Sequence, residues 1–480
     1  MASHEHALPG AGAVGYEQIF RSLARHSRVF PLHSQDVQII PSPTAFYEQL
    51  LSNIRAAQHR ITISSLYLGT GELERGLVDA IAAKLQENPA IHVKIVLDHS
   101  RGQRGGQTKS SVSMFKELMK AFPENFELYL YKVPQLRGLK ASLPPPFNET
   151  IGVSHAKVYL VDDTLILSGA NLSEDYFTNR QDRYVQMRDC GGLAAFYHQF
   201  VSTVATYSFQ ARLEDHATMQ YVLVAPPKRT GSKRVAMKRE FDELVTRHKH
   251  TEEDIDQEVV FESAHDTWAF PTLQFTPVDV THDEQVLTDL LKQLPAQSSL
   301  SIASGYLNFP PFLDDLLVKC EANLDVLTAA PIANGFFNAD GIKGALPMAY
   351  SLIEQEFYEK TRSRAYATNI REFNRSGWTF HGKGMWFSPS LDAPPQLTII
   401  GSSNFGRRSY GCDLESQLVL YTKSPTLQGN LRDEYDQLKQ NAELVAEQVW
   451  KRPDRTLNTV FCWKYGHWIR PVSKMIAAYL

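Results

Sequence analysis

Two histidines, His155 and His381, each stand two residues before a lysine, Lys157 and Lys383. An imidazole beside a fixed ammonium suits attack on an anionic phosphoryl centre. One ring can attack phosphorus and the other can protonate the leaving oxygen, while cations and amide side chains hold the accumulating charge. Such a site needs no metal and no cofactor. Each H-x-K is followed by an aliphatic run, a glycine turn ending in Asn171 or Asn404 and, eleven residues past that asparagine, a carboxylate, Asp182 or Glu415. A single H-x-K is ordinary surface sequence. Two copies with one downstream order make His155, Lys157, Asn171, Asp182, His381, Lys383, Asn404 and Glu415 the candidate catalytic set. A carboxylate behind each imidazole would select its tautomer and stabilise the imidazolium.

The elements that must position these residues also repeat. Ser154 to Asp162 has the β-branched and aliphatic content of a strand, which would point His155 and Lys157 to one side. Upstream, a helix is expected over Phe46 to Arg60, a strand over Ile61 to Leu68, a helix from Glu72 to about Glu87 and a strand over His92 to Asp98. A Gly-rich loop, Arg101 to Gly106, a helix from Met114 to Phe122, a strand from Phe126 to Tyr131 and a Pro-rich loop, Leu143 to Pro146, lead to the motif. Strands alternating with helices predict a sheet covered on both faces. From Leu300 the plan returns: Leu300 to Leu307 matches Ile61 to Leu68 at an offset of 239, with Tyr306 over Tyr67, and then Leu324 to Ala330 corresponds to the strand ending at Asp98 and Leu397 to Asn404 corresponds to Leu165 to Asn171. The fold class expected is α/β, with two similar domains related by a pseudo-twofold axis. The boundaries read from the sequence are a polar segment over 1–40, a first domain over 41–210, a polar linker over 211–285 and a second domain over 286–480.

Composition limits the partners. The chain has 480 residues, 49 Lys and Arg against 53 acids and a net charge of −4, so no globally basic nucleic-acid surface is indicated. Cys190, Cys320, Cys412 and Cys462 form no C-x-x-C unit, which argues against a zinc site or a disulfide framework and for a reducing compartment. No run approaches the roughly 18 to 20 apolar residues that span a bilayer, so membrane contact is expected to be peripheral. Met1 to Gly15 holds no Lys or Arg, and no targeting segment is visible. The basic stretch from Lys228 to His250 reads first as a solvated helix and linker, with docking on an anionic membrane as the alternative. The tail from Phe461, with Trp463 and Trp468, suits either core packing or an interfacial anchor.

The motif His155, Lys157, Asp162 resembles the H-x-K-x4-D signature of the phospholipase D superfamily, which implies two α/β/α sandwich domains with the active site at their interface. The second copy has Ser388 in place of the Asp. In that superfamily the Asp is mainly a structural brace, so Asp162 is expected to be structural. Around both motifs, the stretches Phe147 to His155, Leu167 to Ser173, Tyr176 to Tyr184, Gly377 to His381 and Gly401 to Phe405 resemble the eukaryotic mitochondrial phosphatidylglycerophosphate synthase family. The resemblance implies transfer of a phosphatidyl group from CDP-diacylglycerol to sn-glycerol 3-phosphate with release of CMP, on the cardiolipin pathway, and a peripheral site on the matrix side of the mitochondrial inner membrane. By analogy His155 would be the nucleophile, forming a phosphatidyl-histidine, and His381 the acid and then the base. Sequence symmetry alone leaves that assignment open, and also leaves the oligomeric state open. A phosphatidylserine synthase of the same superfamily, or a phosphodiesterase acting on nucleic acid, are the competing readings.

Substrates carrying a diphosphate and a phosphate call for more cations, and arginine suits bidentate phosphate binding. Arg180, Arg183, Arg407 and Arg408 are candidate phosphate ligands, with structural salt bridges the alternative. Arg101 and Arg104 are candidates in a loop that could equally be mobile. Tyr67 and Tyr306 could line the entrance, although core packing is the plainer expectation.

Overall fold

The computed structural model describes residues 11–136, 151–215, 217–228, 230–246, 264–337, 346–452 and Arg455. The Pro-rich loop Leu143 to Pro146, the stretch Phe147 to Thr150, the acidic run Glu252 to Asp256 and the tail with Trp463 and Trp468 lie outside the described residues.

Two mixed sheets carry the repeat. In the first, Arg60–Ser65, His92–Asp98 and Phe126–Tyr131 run parallel, and Val158–Val161, Thr164–Ser168 and Tyr184–Met187 continue antiparallel on the other side of Arg60–Ser65. In the second, Ser299–Ser304, Asn323–Ala329 and Thr368–Phe373 form the parallel trio, followed on the far side by Lys383–Ser388, Leu397–Gly401 and Glu415–Thr422. The spatial order is the same in both. Helices cover outer faces, so the central strands are buried on both sides and read as continuous apolar runs instead of alternating ones.

The motif strand starts later than the sequence suggests. Sheet pairing begins at Val158, opposite Ser64. Ser154 to Lys157 are held differently: the Ser154 amide donates to Asp98 Oδ2 (3.0 Å), and the His155 amide donates to the Leu414 carbonyl of the other lobe (2.9 Å). The Gly-rich loop also differs, since His99–Gly102 is one helical turn capped by Asp98 Oδ1, which accepts from the amides of Ser100 and Arg101 (2.9 Å each). The expected helix from Met114 is two short ones, Ser111–Met114 and Lys116–Ala121.

The domain boundaries shift most. Phe209–Asp215 and Gln220–Val224 extend the first sheet beyond residue 210. The helix Lys233–Thr246 buries Met237, Phe241, Leu244 and Val245, and Thr267–Phe275, buried along its whole length, pairs with Glu415–Thr422 in the second sheet. Only part of 211–285 therefore remains for a linker. Residues 11–40 are not a separate polar segment either. The helix Ala11–His26 packs Ile19, Phe20 and Leu23 with Trp268 and Phe270. Phe30–Leu32 then joins the second sheet, while Val37–Ile40 joins the first.

The two sheets share one apolar layer. The helix Gly191–Thr206 contributes Phe196, Tyr197 and Phe200, which cluster with Val158 and Leu165 of the first sheet and Leu418 and Leu420 of the second. Each such fully buried side chain stabilises by roughly 1.5–3 kcal/mol. The lobes are thus joined by a core.

Candidate active site

The site is assembled across the pseudo-twofold by short strand-like pairings. Thr379–Phe380 runs parallel to Arg180–Gln181, and the His381 amide donates to the Gln181 carbonyl (2.8 Å). Its counterpart is the bridge between Ser154 and Leu414, where the Leu414 amide donates to the Val153 carbonyl (3.0 Å). Each histidine therefore lies beside the carboxylate that follows its partner segment in the other lobe. His155 Nδ1 is 3.0 Å from both oxygens of Glu415, and His381 Nδ1 is 2.7 Å from Asp182 Oδ2. The repeat places these four residues, but the pairing is crossed.

The electrostatics follow from burial and these pairings. Both imidazoles are buried. Burial lowers the proton affinity of His155, against the pull of Glu415. Burial and the Lys383 ammonium push His381 down to about 3. Burial alone would raise both carboxyls, yet His155 and Lys157 hold Glu415 down to about 2, and Lys383 and His381 bring Asp182 below its usual range. Ser402 Oγ and Ser409 Oγ also donate to Glu415, the latter at 2.7 Å, and the Arg183 amide donates to Asp182 Oδ1 (2.8 Å). Glu415 beside the His155 Nδ1 and Asp182 beside the His381 Nδ1 are acceptors only, which favours the proton on Nδ1 and a lone pair on Nε2.

Lys157 and Lys383 are both buried. Lys157 Nζ donates to the His155 carbonyl (2.6 Å), and Lys383 Nζ lies 2.6 Å from His381 Nδ1 and 3.4 Å from Asp182 Oδ2. Burial lowers both ammoniums, and Lys383 lowers Lys157 further. Two buried lysines whose charge burial disfavours are stabilised as ammoniums by an anionic ligand. Three buried polar atoms by the histidines, Asn171 Oδ1, Asn404 Oδ1 and Ser154 Oγ, have no partner among the described residues. Such atoms cost about 1–3 kcal/mol each unless something bound satisfies them. Gly169 makes room for the crossing lysine, because a Cβ there would lie 2.4 Å from Lys383 Nζ.

The arginines separate into two kinds. Arg183 does not face a ligand. It is fully buried, forked onto Glu434 (Nε to Oε1 2.9 Å, Nη2 to Oε2 2.7 Å) and bonded to the Ile399 carbonyl, with its guanidinium 3.8 Å over Trp386. Arg408 pairs with Asp413 (3.0 Å), whose Oδ1 also accepts from the Val153 amide, so it braces the loop before His155. Both are structural salt bridges between or beside the lobes. Arg180 stays at the site, with its guanidinium 4.7 Å over Tyr176 and Nε donating to Thr379 Oγ1 (3.0 Å). Arg407 and Arg104 are exposed, and Arg101 stacks over Tyr67 at 4.7 Å. Tyr67 bonds to Ser173 Oγ (3.2 Å), while Tyr306 stacks on Tyr350 at 5.1 Å with its ring 6.1 Å from that of His381. Asp162, at φ 51°, accepts from the amides of Gln58, His59 and Arg60 at 2.7, 2.8 and 2.9 Å, pinning the start of the Arg60–Ser65 strand.

Tyr176 is the residue that the motif reading missed. Its hydroxyl is 3.3 Å from His381 Nε2 and accepts from Asn171 Nδ2 (3.1 Å). Burial raises the Tyr176 pKa, so the hydroxyl stays protonated and can donate to the Nε2 lone pair. Ser409 stands at the equivalent place in the second lobe, five residues after its asparagine, but serves Glu415 instead. The shared five-residue offset was the available signal.

Two lobes, each giving a histidine and lysine to one buried site, define a phospholipase D-like enzyme. Residues 50–201 match the family model described as "Cardiolipin synthase, PLD-like domain". The chain is 37% identical over 473 residues to the mitochondrial CDP-diacylglycerol-glycerol-3-phosphate 3-phosphatidyltransferases of Bos taurus and of Homo sapiens, spanning 93% of this chain and 83% of each relative. The Saccharomyces pastorianus relative of the same enzyme name is 32% identical over 461 residues, 90% of this chain and 87% of its own. The chain belongs to this family of CDP-diacylglycerol-glycerol-3-phosphate 3-phosphatidyltransferases. Among solved structures, the phosphatidylserine synthase of Haemophilus influenzae superposes with a TM-score of 0.73 over 97% of this chain and 99% of that one, at 20% identity, a likeness of fold.

Proposed function

We propose that the protein transfers a phosphatidyl group from CDP-diacylglycerol to sn-glycerol 3-phosphate, releasing CMP, and that it does so through a phosphatidyl-histidine on His155. The crossed His–carboxylate pairs carry the mechanism. Glu415 holds the His155 Nδ1 proton, so Nε2 is the nucleophile: it bonds to the phosphorus bearing diacylglycerol as the phosphorus–oxygen bond to CMP breaks. His381 acts on the opposite side. The substrate diphosphate raises its proton affinity, allowing it to give a proton to the departing CMP. Neutral again, its Nε2 takes the proton of the glycerol 3-phosphate hydroxyl, whose oxygen attacks phosphorus and releases His155. Tyr176 at His381 Nε2, and no described partner at His155 Nε2, favour this order of roles. Lys157, Lys383, Asn171 and Asn404 would hold the phosphoryl oxygens, and Arg180 the diphosphate or acceptor phosphate.

A phospholipid substrate requires membrane access, and no helix among the described residues is long and apolar enough to cross a membrane. A peripheral position on the matrix face of the mitochondrial inner membrane accords with the mitochondrial names of the relatives. Incubation with CDP-diacylglycerol and labelled glycerol 3-phosphate, with identification of the lipid and trapping of phosphohistidine, tests the reading. Phosphatidylglycerophosphate is the expected product. Incorporation of serine in place of glycerol 3-phosphate would refute it.

A further inference from the structure

The first sheet has one chemically active edge. Its parallel strands end at Ser65, Asp98 and Tyr131, with Asp98 opposite Tyr131 and Ser65 opposite Leu97. The antiparallel strand after His155 starts at that edge, where Val158 faces Ser64. A cleft of about 590 Å³ opens just past Tyr131, along the same edge, between Lys132 to Leu136, the Tyr207 and Phe209 region, Pro226 to Lys228 and the helix Lys233–Thr246. Its lining includes apolar Val133, Leu136, Met237 and Val278. Its rim is cationic, with Lys132, Lys228, Lys233 and Arg234. Arg234 is paired with Asp279 (2.6 Å), which leaves the three lysines to set the field.

A second observation points the same way. Large apolar side chains are seldom exposed in the described residues, yet two stand beside this rim: Val235, 67% exposed next to Lys233 and Arg234, and Val224, 43% exposed at the end of the Gln220–Val224 strand. Lysines interleaved with exposed aliphatics suit the headgroup layer of an anionic bilayer, where charge attracts and apolar groups insert.

We propose that this cleft and its rim seat the protein on an anionic phospholipid surface, the lysines meeting lipid phosphates, Val224 and Val235 entering the headgroup layer, and the His155 edge turned toward the lipid. The assignment rests on the reading that the substrate is a membrane lipid, and it gives the basic stretch after Lys228 a role beyond solvation. Flotation of the full chain with phosphatidylcholine vesicles, with and without phosphatidylglycerol, tests it without CDP-diacylglycerol present. The unmodified protein is expected to float only with the phosphatidylglycerol vesicles and to be released by salt. The Lys228→Gln/Lys233→Gln variant should lose roughly 30-fold in partition. Val235→Asp should also weaken binding. Both should keep transfer on detergent-dispersed CDP-diacylglycerol, which reports that they are folded. Flotation of both variants equal to that of the unmodified protein overturns the assignment, as does salt-sensitive binding to duplex DNA without binding to vesicles. Absence of transfer by the unmodified protein would instead count against the enzymatic reading, because vesicle binding is measured without substrate.

Discussion

His155→Asn is expected to abolish phosphatidyl transfer, by more than roughly 1,000-fold, and to leave no trapped phosphohistidine, because no other Nε2 lone pair is aligned by Glu415. His381→Asn should slow turnover roughly 100- to 10,000-fold while still allowing some labelled intermediate to accumulate. The reverse pattern in a trapping assay would exchange the two roles. Tyr176→Phe removes one hydrogen bond to His381 Nε2 and should lower kcat roughly tenfold with little change in KM. A merely structural role would instead lower stability and leave the pH profile in place, so the kcat–pH curve is the deciding measurement. At this scale the sequence was highly legible. The repeated offsets located both imidazoles, both carboxylates and both asparagines. For Arg183 and Arg408 the sequence left phosphate ligation and a structural salt bridge open, because an arginine bound to Glu434 or Asp413 looks the same in sequence as one waiting for phosphate, and the structure shows the salt bridge.

Between elements, the contact that matters most is the Arg183 guanidinium, which reaches from the turn before Tyr184–Met187 to the helix Pro425–Lys439. Glu434→Ala leaves that charge buried and unpaired and should cost about 3–5 kcal/mol in chemical denaturation. Gly384 keeps the space open: at φ +155° a Cβ there would lie 1.8 Å from Arg183 Nη1 and 2.7 Å from the Ile399 carbonyl. Gly384→Ala should therefore destabilise by roughly 1–3 kcal/mol, read as a lower denaturant midpoint. Strands such as His92–Asp98 and Phe126–Tyr131 and the helix Glu72–Glu87 coincide with the spans read from their apolar patterns. The pattern failed at Ser154 to Lys157, where the backbone is recruited by Asp98 and Leu414 instead of by a neighbouring strand.

For the whole molecule, acid should be destabilising. Below the ordinary imidazole value of 6.5 the unfolded chain takes up protons that buried, neutral His155 and His381 refuse, so the folded state is progressively disfavoured as pH falls. At still lower pH the depressed Asp182 and Glu415 add to the loss, because the unfolded carboxyls protonate first. A denaturant midpoint that falls from about pH 7 to about pH 5 is the expected result, and a flat profile would contradict the neutral assignment of both rings. The repeated order of strands, the two H-x-K motifs and the spacing to each carboxylate were determined by the sequence alone, because period, turn chemistry and internal duplication are local properties of the chain. The crossed pairing of His155 with Glu415 and His381 with Asp182, the use of residues 11–40 in both sheets, and the shared layer around Tyr197 and Leu418 were decided only by tertiary structure. Each depends on which surfaces of the two lobes face one another, and a buried imidazole takes the carboxylate nearest in space, whichever copy of the repeat supplies it.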